Sequence, residues 1–94
     1  MRTLIDQYII DKTREKRLAL KMSQEALSIE LGSKSNGFVA QAESPRSVKK
    51  YNPVHINKAA VIFHCSPGDF LPEIGFTDNK IIKPLSKGKG KQHY

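Results

Sequence analysis

Apolar positions recur at helical spacing from residue 4 to about residue 71, and no alternating run in that stretch is long enough to predict a strand. Residues 4–20 contain neither Gly nor Pro. Their best stripe, Ile5, Ile9, Thr13, Lys16 and Leu20, is helical in period but polar in its middle. Ser23 is placed to cap a second helix over residues 24–31, with Leu27, Ser28 and Leu31 on its inner face and Glu25 adding charge at the positive helix end. Gly32 is its left-handed stop. Ser35 then caps a short third helix, from Asn36 to about Glu43, with Val39 and Ala42 turned inward. A loop containing Pro45 leads to Tyr51. Asn52-Pro53 reads as a cap and first-turn proline for a fourth helix, residues 53–64, which buries Ile56, Ala59, Ala60 and Phe63 at i, i+3, i+4 and i+7. Ser66-Pro67 repeats the device and opens a last short helix through Leu71, stopped by Pro72.

The character changes after Pro72. Residues 73–94 hold one small apolar patch (Ile81, Ile82, Leu85) and the run Ser86-Lys87-Gly88-Lys89-Gly90-Lys91, which buries nothing and predicts a mobile segment. The organisation expected is therefore one domain over residues 1–72 and an extended or disordered basic tail over 73–94. A length of 94 residues suits one domain and not two. With 38% hydrophobic and 27% charged residues, the chain is neither wholly disordered nor membrane-spanning. Met1-Arg2-Thr3-Leu4-Ile5-Asp6 meets an acid at once and does not read as a signal peptide. The lone Cys65 excludes an internal disulfide and a CxxC zinc pair, so a reducing, cytoplasmic setting is expected.

The net charge of +7 favours polyanionic partners, and its distribution sharpens that. Residues 44–58 carry four basic side chains and no acid. No enzyme reading emerges. His55, His64 and His93 are scattered, His64 and Cys65 point to different faces as helix neighbours, and Gly88-Lys89-Gly90-Lys91 lacks the spacing and the Ser/Thr of a phosphate loop. No metal or cofactor is expected.

Two helices joined by a short turn with a glycine, the second short and capped by Ser, have the form of a helix-turn-helix. Arg17, Met22-Ser23-Gln24-Glu25-Ala26-Leu27, Leu31-Gly32, Phe38-Val39-Ala40-Gln41-Ala42-Glu43 and Ser66-Pro67-Gly68-Asp69-Phe70-Leu71 occur in order at near-standard spacing over residues 4–72. In these motifs the chain resembles the Cro/phage-repressor helix-turn-helix family, also called the xenobiotic-response-element (XRE) type. The resemblance implies an all-α, five-helix lambda-repressor-like domain that binds double-stranded DNA as a transcriptional regulator, usually a dimeric repressor on a palindromic operator.

It also implies roles for residues. Ser23 caps the second helix, and Gln24 bonds a phosphate and braces the recognition helix; Ser35 lies on the same phosphate-facing side. Asn36, Gly37 and Gln41 occupy the groove-facing positions, with Phe38 reaching over Gly37 to a thymine methyl as the alternative to an unread base pair. Asn and Gln can each pair bidentately with adenine. Arg46, Lys49 and Lys50 match the loop that grips the backbone, and Arg17 and Glu43 form a structural ion pair. Each assignment has a plainer counterpart. Asn36-Gly37 is also a common turn pair, Gln41 suits any solvated face, and the loop cations suit ordinary surface charge.

Thr13 and Lys16 stand where the family usually carries apolar residues, which predicts compensation by Leu18 or Leu20. The turn before the third helix is one residue longer than usual, which leaves the register of residues 36–38 open. Ile29, Val61 and Ile62 leave apolar surface suited to a dimer. Two other readings stand beside the regulator. One is an antitoxin-like module whose tail binds a toxin-like protein; the other is a tail that binds nucleic acid without sequence preference.

Overall fold

The computed structural model describes residues 2–77 and 81–82. They are mostly helical: strand β1 (Arg2–Thr3), helices α1 (Leu4–Ala19), α2 (Gln24–Glu30), α3 (Phe38–Glu43) and α4 (Pro53–Phe63), a 3-10 turn (Pro67–Phe70) and strand β2 (Ile81–Ile82). Local chemistry explains most boundaries. Thr3 and Asp6 form a reciprocal capping box at the start of α1, Thr3 N–H donating to the Asp6 carboxylate at 2.8 Å. Ser23 Oγ accepts from Ala26 N–H at 3.0 Å to start α2. Asn52 and His55 cap α4 reciprocally, and Ser66 with Asp69 does the same for the 3-10 turn. Gly32 ends α2 at φ 77°, where a Cβ is strained, and Lys58 Nζ donates to the adjacent Leu31 carbonyl at 3.3 Å.

The core gathers Ile9, Ile10, Leu27, Leu31, Val39, Ala42, Tyr51, Ala59, Ala60 and Phe70, with Ile5, Ile56, Ile62 and Phe63 packed against it. The face of α1 differs from the expected stripe. Ile9, Ile10, Thr13 and Arg17 are buried, so the inward face is rotated toward Ile10 and Arg17. Thr13 satisfies its hydroxyl on the Ile9 carbonyl at 2.8 Å, and the Lys16 ammonium lies over the Phe70 ring, 5.5 Å from its centroid. Both polar positions are thus absorbed without the expected compensation. Leu18 and Leu20 remain 47% and 56% exposed, because α1 ends at Ala19 with these side chains outside the packed face.

Two further expectations are corrected. The third helix begins at Phe38, not Asn36. Ser33 and Ser35 turn the preceding backbone through hydroxyl contacts: Ser35 N–H donates to Ser33 Oγ (3.2 Å) and Gly37 N–H to Ser35 Oγ (3.1 Å). Serine hydroxyls bonded to nearby amides compete with helix in this way. The chain also contains strand pairing that its periodicity does not announce, since β1 and β2 pair antiparallel with Arg2 opposite Ile82 and Thr3 opposite Ile81. The Leu85 and Gly/Lys-run expectations lie outside the described residues.

Candidate nucleic-acid interface

The α2–α3 pair is fastened from behind by buried polar contacts. Ser28, fully buried on α2, donates its hydroxyl to the Gln24 carbonyl (2.9 Å) and accepts from Val39 N–H (3.0 Å). Val39 is in the first turn of α3, where backbone N–H groups have no intrahelical partner. With no side-chain cap from Gly37, α3 takes its cap from the neighbouring helix instead.

The other fastening is ionic. Arg17 donates Nε and Nη2 to the two Glu43 carboxylate oxygens, both at 2.9 Å, and Nη1 to the Met22 carbonyl at 2.7 Å. The two side chains are only 7% and 5% exposed. Gln24 Nε2 donates to Glu43 at 2.9 Å, and Arg14 adds a cation at 3.6 Å. Glu43 therefore ties α1, α2 and α3 together. Gln24 has its amide on Glu43, which is the bracing half of the role assigned to it.

On the outer side, Ser35, Asn36, Ala40 and Gln41 are exposed, as are Arg46, Lys49 and Lys50 on the following loop. Asn36 and Gly37 are the central pair of a turn closed by Phe38 N–H on the Ser35 carbonyl (3.2 Å), so the turn reading holds for the backbone while the Asn36 side chain stays at the surface. Gly37 has φ −95°, and an added Cβ would meet nothing nearer than Ser35 Oγ at 3.7 Å, so this turn does not demand glycine. Asn36 Nδ2 donates to the Glu25 carboxylate at 3.2 Å. Ser23 is exposed at the start of α2 with its hydroxyl occupied as a cap.

Phe38 does not belong with these residues. Its ring packs on the core edge-on to Tyr51 (centroids 5.7 Å apart) and tilted against His55 (4.8 Å), so the expected reach to a base is replaced by an aromatic cluster. Ala40, which carried no signal in the sequence, instead shares the exposed surface with Gln41.

The sequence reading missed Arg2 altogether. It is 4% exposed and donates to three backbone carbonyls: Ala42 (2.7 Å) and Gln41 (3.3 Å) through Nη2, and Lys49 (3.0 Å) through Nε. Burial pulls its guanidinium below the ordinary arginine value, against the opposing pull of Asp6 and Asp11, and it stays charged. Asp6 lies 3.5 Å from the Lys50 ammonium. Although its burial acts the other way, bonds from Thr3 and the Lys50 charge hold its carboxyl below the usual aspartate range. Lys50 is thus anchored by Asp6, leaving Arg46 and Lys49 as the more loosely held loop cations.

Elsewhere the chemistry is sparse. Among the described residues no group of three or more His, Cys, Asp or Glu side chains could hold a metal, and no helix is long and apolar enough to cross a membrane. Comparison with protein-family models, curated sequences and solved structures returns no match.

Proposed function

We propose that this chain binds double-stranded DNA in a sequence-specific manner as a transcriptional regulator of the Cro/phage-repressor type, with α2 and α3 as its helix-turn-helix and the five-helix lambda-repressor-like arrangement as its frame. The observation that carries the reading is the division of labour around α3. Its buried side is held by Ser28 and the Arg17–Glu43–Gln24 cluster, while Asn36, Ala40 and Gln41 are left at the surface beside a cationic loop. A short helix rigidly backed and polar in front suits base reading in a major groove about 12 Å wide.

In this reading Gln41 and Asn36 contact base edges, the Ala40 methyl lies against a thymine methyl or sugar, and Arg46, Lys49 and Lys50 contact phosphate with Ser35 and Ser23 near the backbone. Asn36 exchanges its Glu25 bond for a base. The chain acts as a dimer, for which Ile29 and Val61 supply exposed apolar side chains. The toxin-like partner reading relies on a tail free to bind, and its Ile81–Ile82 segment is paired with the chain's own Arg2–Thr3.

Affinities measured on one selected duplex and one random duplex test the roles. Gln41→Ala is expected to cost about 1–3 kcal/mol on the selected duplex and little on the random one. Lys49→Ala should weaken both alike and reduce the salt slope by about 0.9. Equal losses from both variants on both duplexes would overturn the assignment.

A further inference from the structure

We propose that Arg2 is the positioning residue of this face: its buried guanidinium staples the end of α3 to the far end of the basic loop, so that Gln41 and the loop cations are presented as one rigid unit. The inference rests on the DNA-binding reading above, but its structural half stands independently of it.

The three acceptors of Arg2 explain the role. Gln41 and Ala42 lie in the last turn of α3, where helix amides run out for the carbonyls (Gln41 keeps the capping Ser44 N–H at 3.2 Å), and Lys49 closes the loop that follows. One planar group therefore grips both ends of the segment 43–48, which contains Arg46. Helix α3 has only six residues, far below the length at which a helix stands on its own, so its end depends on outside support. The guanidinium suits this because its fixed fork addresses several carbonyls at once, whereas an ammonium is a point donor on a flexible stem.

Arg2 is itself held from two sides. Its backbone is paired with Ile82 in the two-stranded sheet, and the next residue, Thr3, is locked to Asp6 in the capping box of α1. Asp6 also approaches Lys50, so the same short segment reaches the loop by a second, ionic route. At 4% exposure Arg2 acts from behind the interface and touches no phosphate.

The test uses the full chain and the variants Arg2→Lys and Arg2→Met, with the wild-type-selected duplex, a random duplex of equal length, and amide exchange. Both variants are expected to lose about tenfold or more on the selected duplex, equivalent to roughly one net hydrogen bond, with little change on the random one and an unchanged salt slope. Amides of residues 44 and 46–49 should exchange faster while those buried in α1 and α4 keep their protection. Three outcomes would overturn the proposal. Wild-type binding by Arg2→Lys, with Arg2→Met losing equally on both duplexes and showing a shallower salt slope, would make Arg2 a phosphate contact. A lowered melting temperature with an unchanged ratio between duplexes would make it structural only. Unchanged exchange over 44–49 would refute the staple even if the wild type selects no duplex, a result that by itself would refute only the DNA reading.

Discussion

Replacing Glu43 with Ala removes the carboxylate on which three elements converge. Two bonds from Arg17 and one from Gln24, each 2.9 Å, are lost together with the Arg14 contact at 3.6 Å. Arg17 is left almost wholly buried, with the Met22 carbonyl as its remaining hydrogen-bond partner among the described residues. Breaking a buried pair from one side costs about 3–5 kcal/mol, chiefly because the surviving charge is stranded. A domain of this size has about 5–14 kcal/mol in total, so the variant loses about a fifth or more of its stability. At about 4–8 °C per kcal/mol the melting temperature should fall by at least about 12 °C. By contrast, breaking the exposed Lys12–Glu15 pair should cost under about 1 kcal/mol. Urea unfolding is the assay, with a shifted midpoint at constant slope as the sign of a true stability change. The double variant Arg17→Met/Glu43→Leu should recover much of the loss, since apolar replacement of both partners removes the stranded charge. A loss under about 1 kcal/mol for Glu43→Ala, or an equal loss when Arg17 is already Met, would refute the reasoning.

Other outcomes follow from single contacts. Ser28→Ala strands the buried Val39 N–H and should cost about 1–3 kcal/mol, with faster exchange at Val39; unchanged protection there would show that α3 is not capped from α2. Burial, aided by Lys58, lowers the pKa of His55, whose Nδ1 accepts from Asn52 N–H at 3.1 Å. The unfolded chain therefore takes up this proton first, and the His55 contribution, complete above about pH 6.5, declines as pH falls from there to the lower folded value. Urea midpoints from pH 7.5 to 5 should show that decline in the wild type and a flatter profile in His55→Gln; identical profiles would contradict it. The Tyr51 hydroxyl is buried without a hydrogen-bond partner among the described residues, and burial pushes its pKa up. Tyr51→Phe should thus be neutral or stabilising by about 1 kcal/mol, and a clear destabilisation would reveal a partner.

What the sequence disclosed was set by range. Caps and stops act over three or four residues, so Ser23, Gly32, Asn52 and Ser66 announce the ends of their elements, and the inward faces of α2 and α3 follow from period alone. The start of α3 differs from the expected one because Ser33 and Ser35 offer the backbone competing hydroxyl bonds that also act locally, and a serine before a helix reads the same either way. The exposure of Leu18 and Leu20 is not legible because Thr13 needs no more than the carbonyl one turn back, and Lys16 finds the ring of Phe70, a partner that only the fold brings near. The inward packing of Phe38 is not legible because the positions of its partners, Tyr51 and His55, depend on how α4 docks. Arg2 carries no local mark at all, and for Ser28 the helical period gives the inward face but not the task of capping α3. The acceptors of Arg2 and the Val39 amide that Ser28 caps are distant in sequence, and an arginine just ahead of a helix ordinarily reads as surface charge.

Selecting duplexes from a random pool with the full chain at physiological salt asks whether the exposed side of α3 reads base edges, as proposed above. Base reading by α3 should enrich a two-fold motif with half-site centres about 10 base pairs apart, changed in sequence at one position per half-site by Gln41→Ala and unchanged by Lys49→Ala. A pool that stays random while the chain still binds DNA, or a motif indifferent to Gln41, would contradict it.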